Sequence, residues 1–261
     1  LGWSMTKSIT ATLFGILQKQ GKYDINKPAP IPEWQKDERK KITTNDLLHM
    51  NSGLEWEEAY DKICDATKML FIAEDMGRVQ LEKPAAFAPN THWNYSSGTS
   101  NLLSYILRKQ FKTHQEYLDF WYAQLIDRIG MHSMLIETDM VGNYVGSSYG
   151  WATARDWAKF GLLYLHKGNW NGDQVFDPSW ENYVSTPTND SKEGYGAHFW
   201  LNAGGHFPAA PRDMYSCNGY QGQKVFIIPS LDLVIVRMGL SDEGKYDVNE
   251  LLAGVIGSFK K

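Results

Sequence analysis

The sequence predicts an α+β fold: an antiparallel sheet flanked by N- and C-terminal helices, beside a mostly helical lobe. Three observations predict it. A helical apolar period opens the chain at Ile9, Leu13, Ile16 and Leu17, and another closes it at Leu251, Leu252, Val255, Ile256 and Phe259. Runs rich in aromatic and β-branched residues come late, at 195–202, 222–228 and 231–238, with Pro229-Ser230 marking a turn between the last two. Helical periods fill the middle, and segregation of helices from strands is the α+β pattern. The 261 residues then form a single domain, with an α/β part at about 1–25 and 190–261 and a helical lobe at about 26–189.

Taken in order, the first helix ends at Gly21, placed for a left-handed C-terminal cap. The proline-rich stretch 28–32 is an irregular connection, and Thr43-Thr44-Asn45-Asp46 starts a short helix that Gly53 ends. Residues 57–76 read as mixed and helical, with apolar positions at Ile63, Met69, Leu70 and Ile72. Leu102, Leu103, Ile106 and Leu107 mark a buried helix after Tyr95-Ser96-Ser97-Gly98, and a further helix spans 116–129. Thr153 and Asp156 have the spacing of a capping box ahead of Trp157, Phe160, Leu163 and Tyr164. Asn171-Gly172 is a tight-turn signal, and Asp177-Pro178 opens another short helix.

Apolar residues make up 43% of the chain, with 10 Trp, 14 Tyr and 11 Phe, enough for a large core. The net charge of −4 and the scattered Lys and Arg give no basic stripe, which excludes a nucleic-acid partner. No apolar run reaches membrane-spanning length. Cys64 and Cys217 lack metal-ligand spacing, which excludes a zinc site and leaves room for one disulfide.

Ser4 and Lys7 stand three residues apart at a helix start, within reach of one another. A serine hydroxyl becomes a nucleophile when a neighbour takes its proton, and a lysine amine does so once desolvation lowers its pKa. The unpaired N–H groups of a first helical turn also suit a developing oxyanion. Taken alone, the same four residues also fit an N-capping serine and a solvated lysine. His49 and His198 lack a Gly-x-Ser-x-Gly elbow and read as structural or pocket-wall residues. Glu137 and Asp139 have no spacing that supports a glycosidase pair, and Trp151 falls near the expected cleft.

Five motifs occur in order: Ser4-Met5-Thr6-Lys7, His49-Met50-Asn51-Ser52-Gly53-Leu54, Tyr95-Ser96-Ser97, the stretch from Gly150-Trp151 through Phe160-Gly161, and Gly219-Tyr220-Gln221-Gly222-Gln223. With them the chain resembles the penicillin-recognising serine hydrolases, closest to the class C β-lactamase-related esterases and amidases, including 6-aminohexanoate-dimer hydrolases. The resemblance covers nearly the whole chain and implies a β-lactamase/transpeptidase-like fold. It implies Ser4 as the acylated nucleophile, Lys7 as its partner and Tyr95 as the proton relay. Ser97 would line the pocket and bind substrate. Tyr220 and Gly222 would lie on the strand bordering the site, and the N–H groups of Ser4 and Gln223 would form the oxyanion hole.

The same resemblance implies cleavage of small ester or amide substrates through a seryl acyl-enzyme, with no metal and no cofactor. A D,D-peptidase or β-lactamase acting on β-lactam-like substrates, and a catalytically silent binding module, are the alternatives. Tyr220 stands where those peptidases and lactamases usually carry a lysine facing the substrate carboxylate, which favours neutral acyl substrates. The chain opens at Leu1 directly on the candidate helix. This points to a preceding portion that in relatives supplies strands of the sheet and a periplasmic export signal. The oligomeric state is left open.

Overall fold

The computed structural model describes residues 1–242 and 245–259. The helices are α1 (Thr6–Lys19), α2 (Thr44–Leu48), α3 (Asp65–Phe71), α4 (Met76–Leu81), α5 (Ser97–Arg108), α6 (His114–Trp121), α7 (Ala154–Leu165), α8 (Ser179–Ser185) and α9 (Val248–Phe259). Two small antiparallel pairs join β1 (Leu135–Ile136) to β2 (Gly150–Trp151) and β3 (Asn169–Trp170) to β4 (Asp173–Gln174). The main sheet is antiparallel in the order β5 (Trp200–Leu201), β6 (Tyr215–Gly219), β7 (Gln223–Ile228) and β8 (Leu233–Arg237).

Alternation along β7 divides the core. Val225 and Ile227 face one side with α1 and α7, while Phe226 and Ile228 face the other with Leu252 and Ile256 of α9. The sheet thus lies between the first and last helices, as the sequence predicts. α7 lies so close that a Cβ on Gly161 would come within 2.6 Å of Val234.

α1 is buried on every side from Thr6 to Leu17, not on one face alone. Its polar residues survive burial because each has a partner: Ser8 donates to the His198 carbonyl, Thr10 to the Gly146 carbonyl, and Thr12 shares a bond with the Tyr164 hydroxyl. The helix ends at Gly21, φ 66°, with Lys22 N–H donating to the Leu17 carbonyl and Gly21 N–H to that of Gln18, a Schellman cap.

Several expectations are corrected. Of 57–76, only α3 and the first residue of α4 are helical. Glu57 to Cys64 is an irregular strap, and Ile63 and Ile72 are exposed. The 116–129 helix begins at His114, breaks into a π turn at Tyr122–Ile126 and closes at Gly130, φ 70°. The 195–202 run shortens to Trp200–Leu201 because His198 at φ 61° turns the chain, leaving Tyr195 bridged to Trp200. β6 carries the unpatterned run Tyr-Ser-Cys-Asn-Gly, so nothing in its sequence announces a strand.

Thr153 caps α7, yet Asp156 does not reach back. Its carboxylate accepts from the Ser133 N–H and hydroxyl and pairs with Lys159. Reciprocal capping boxes form instead at Thr43 with Asp46 and at Thr113 with Glu116. Cys64 and Cys217 are free thiols in separate cores. Among the described residues no helix is long and apolar enough to cross a membrane.

Candidate active site

Ser4 sits in a single 3₁₀ turn, Trp3–Met5, that leads into α1. Trp3 holds φ 49°, a left-handed conformation that costs a non-glycine residue about 1–2 kcal/mol. The turn is held from two sides. Gly2 N–H donates to the Gly150 carbonyl at 2.7 Å. Gly219, the last residue of β6, presses on the Gly2 carbonyl so closely that a Cβ there would lie 2.1 Å away.

One turn on, the buried Lys7 Nζ donates to Ser4 Oγ at 2.9 Å, Ser97 Oγ at 2.8 Å and the Ser147 carbonyl at 2.9 Å. An ammonium has three donors, and all are used. Burial pulls the Lys7 pKa from 10.5 down to about 8, against the opposing pull of the Glu58 charge. The Tyr95 ring lies 5.0 Å from Lys7 Nζ, which brings the phenol beside the Ser4–Lys7 pair. Burial pushes the Tyr95 phenol well above its ordinary value; the Glu58 charge adds to this and the nearby Ser4 hydroxyl offsets part. Tyr95, distant in sequence, thus meets Ser4 and Lys7 at one point.

Ser97 is wholly buried as the first residue of α5. It does not face an open pocket as anticipated. Its hydroxyl accepts from Lys7 and donates to Glu58 Oε1 at 2.6 Å, while its N–H donates to Glu58 Oε2 at 2.6 Å. Glu58 also accepts from Trp56 Nε1 and the Tyr60 hydroxyl, each at 2.7 Å. Sequence reasoning missed Glu58 because its strap read as helix. Ser147 was missed because it contributes only a backbone carbonyl.

Tyr220, Gln221 and Gly222 form the turn of the β6–β7 hairpin, with Gln221 at φ 59° and Gly222 at φ 85°, rather than part of a strand. Tyr220 does reach the turn bearing Ser4, its ring 5.7 Å from Trp3 and 5.3 Å from Tyr60. Gly222 faces away: a Cβ there would meet Arg237 at 2.5 Å and Tyr246 at 2.7 Å. Gln223 opens β7 across the hairpin from Gly219, and its side-chain amide is bonded to the backbone of Gly239. The residue packed on the Ser4 turn is therefore Gly219.

The histidines serve the framework. His198 Nδ1 bonds the Leu48 carbonyl at 2.7 Å, which makes that nitrogen the donor and leaves Nε2 to accept from Ser100 at 2.9 Å. Burial brings His198 down to about 3 and His49, bonded to Thr188, down to about 4. Asp139 ties the Met76, Val141 and Asn143 N–H groups, and Glu137 accepts from Trp151 Nε1 at 2.6 Å.

The family model described as Beta-lactamase matches residues 2–251. Among solved structures, a Bacillus anthracis protein assigned as a 6-aminohexanoate-dimer hydrolase is 20% identical, with a TM-score of 0.79 over 99% of this chain and 73% of that one. A penicillin-binding protein homologue from Caulobacter crescentus is 15% identical, with a TM-score of 0.76 over 98% and 82%. A D-stereospecific amidohydrolase from Streptomyces is 15% identical, with a TM-score of 0.72 over 98% and 86%. No curated protein matches the chain. At these identities the structural likenesses establish the fold, and the match through residues 2–251 establishes the lineage: the chain belongs to the beta-lactamase family of hydrolases.

Proposed function

We propose that the protein is a serine hydrolase that cleaves esters or amides of small acyl groups through a seryl acyl-enzyme. The observation that carries this is the buried Lys7 ammonium donating to Ser4 Oγ at 2.9 Å, with the Tyr95 ring 5.0 Å from the same Nζ. A lysine brought to about 8 is neutral often enough near pH 7 to take the Ser4 proton, whereas a buried phenol pushed upward stays protonated and cannot serve as the base. Lys7 is therefore the base and Tyr95 the donor. Ser4 Oγ attacks the acyl carbon and its proton moves to Lys7. Tyr95 protonates the departing alcohol or amine and recovers a proton from Lys7. Water then attacks the acyl carbon, gives up its proton along the same path, and releases the acid with Ser4 restored.

The first oxyanion donor is the Ser4 N–H at the helix start. The second is assigned to the β6 end at Gly219-Tyr220, because Gly219 abuts the Ser4 turn and Gln223 stands across the hairpin. Tyr220 brings no cation to the turn bearing Ser4, which supports uncharged acyl substrates over penicillin-like anions. The 6-aminohexanoate-dimer hydrolase and amidohydrolase assignments among the structural relatives are in keeping with amide substrates. The test is turnover of p-nitrophenyl esters, acyl anilides and a penicillin by the wild type and Ser4→Ala. Ester or anilide turnover lost in Ser4→Ala supports the proposal. Turnover of the penicillin alone favours the lactamase alternative, and turnover that survives Ser4→Ala contradicts both.

A further inference from the structure

We propose that Glu58 is a positioning residue, one that fixes the Ser97 hydroxyl as an acceptor toward Lys7 and so aims the Lys7 lone pair at Ser4. The inference rests on the seryl hydrolase proposal above. The Glu58 carboxylate accepts four bonds, from Ser97 N–H, Ser97 Oγ–H, Trp56 Nε1–H and Tyr60 O–H, which fills an ionised carboxylate. It has no capacity left for substrate, so its role is internal. A carboxylate can only accept, so the single Ser97 hydroxyl proton is committed to it. Ser97 can then only accept from Lys7, and so can the Ser147 carbonyl.

When Lys7 loses a proton, two N–H bonds are retained by two obligate acceptors. The lone pair is left facing the third partner, Ser4. Without the carboxylate, the Ser97 hydroxyl is free to turn its proton onto Lys7 and compete with Ser4 for the lone pair. Glu58 thereby decides which of two serines Lys7 activates. Its charge also acts on the site, alone in holding Lys7 up against burial and adding to the upward push on Tyr95, Tyr60 and Tyr195. His198, which also lies near Lys7, is held neutral by burial.

The experiment is a double-mutant cycle with Glu58→Gln and Ser97→Ala, plus Glu58→Asp, reading kcat, KM and the pH profile on a p-nitrophenyl ester, with circular dichroism to confirm folding. Glu58→Gln should lower kcat roughly 10–100-fold with little change in KM, since a general base contributes about 10²–10⁴-fold when aimed. Its acid limb should move to lower pH, because the charge opposing Lys7 deprotonation is gone. Glu58→Asp should keep the limb near its wild-type position and recover part of kcat. In the Ser97→Ala background Glu58→Gln should cost little further kcat. Additive losses, or a folded Glu58→Gln with wild-type kcat and limb, overturn the inference while leaving Ser4 catalysis intact. A wild type with no Ser4-dependent turnover overturns both. A ¹⁵N NMR titration of the Lys7 amine, assigned with Lys7→Arg, separates the cases without turnover: Glu58→Gln should titrate at lower pH than the wild type, and an unmoved titration contradicts the charge effect.

Discussion

Gly219 and Gly2 touch where the sheet meets the turn bearing Ser4: a Cβ on Gly219 would sit 2.1 Å from the Gly2 carbonyl. The backbone of Gly219 has φ −123°, which any residue adopts, so alanine there is opposed by this contact and not by conformation. Gly219→Ala should displace the Ser4 turn and lower kcat/KM by roughly 10²-fold, the effect of about 1 Å of misplacement at a reacting group. Gly222→Ala, facing Arg237 and Tyr246 at φ 85°, should lower thermal stability with a much smaller effect on acylation. Equal activity losses in the two would contradict the assignment of the β6 end to the site.

Lys7 titrates at about 8 in the folded chain and 10.5 when free, so the unfolded state holds the extra proton between those values. Stability from this group is lowest below pH 8 and rises between pH 8 and 10.5, by up to about 1.4 kcal/mol per pH unit. Lys7→Met should lose that slope in pH-dependent urea unfolding. Under the proposed mechanism the acylation rate should climb with pH along an acid limb near 8. An acid limb near 6.5 would point to a histidine instead.

Tyr220 is 44% exposed beside the turn bearing Ser4. Tyr220→Lys places a cation there and should lower KM for carboxylate-bearing substrates several-fold at low salt, with the gain fading at high ionic strength. Neutral esters should show no such salt dependence.

His198 and His49 are held neutral by burial, near 3 and 4. Because both values lie below the free imidazole's 6.5, stability is full above pH 6.5 and lost as the pH falls towards 4 and 3. His198→Asn should make that acid transition shallower throughout and remove the histidine contribution between about pH 4 and 3, while leaving Ser4 reactive. Asparagine tolerates the φ of 61° that His198 adopts. Abolished Ser4 labelling in a folded His198→Asn would revive a serine–histidine arrangement.

Much of this was legible in the sequence because it is local. The Ser4–Lys7 spacing, the Gly21 cap and the periods of α1, α5, α7 and α9 follow from residues within one or two turns of each other. Tyr95 needed the family motif, since an isolated tyrosine ahead of a helix says little. Glu58 was not legible. It earns its place through Ser97, Trp56 and Tyr60 in three dimensions, within a strap whose apolar Ile63 mimicked a helix face yet is 79% exposed. β6 hid for the opposite reason: a buried strand with helices on both faces of its sheet needs no polar alternation. The placement of Gly219, rather than Gln223, against Ser4 depends on where the hairpin turns; two glycines flank that turn, and Gln221 at φ 59°, beside Gly222 at φ 85°, sets its position.

The most direct test of the central claim is the intact mass of the protein after exposure to a fluorophosphonate, for wild type and Ser4→Ala. A single adduct on the wild type, mapped to Ser4 and missing from Ser4→Ala, is the predicted result. A folded wild type that takes up no label, or a Ser4→Ala variant labelled as readily as the wild type, would contradict an activated serine at this position.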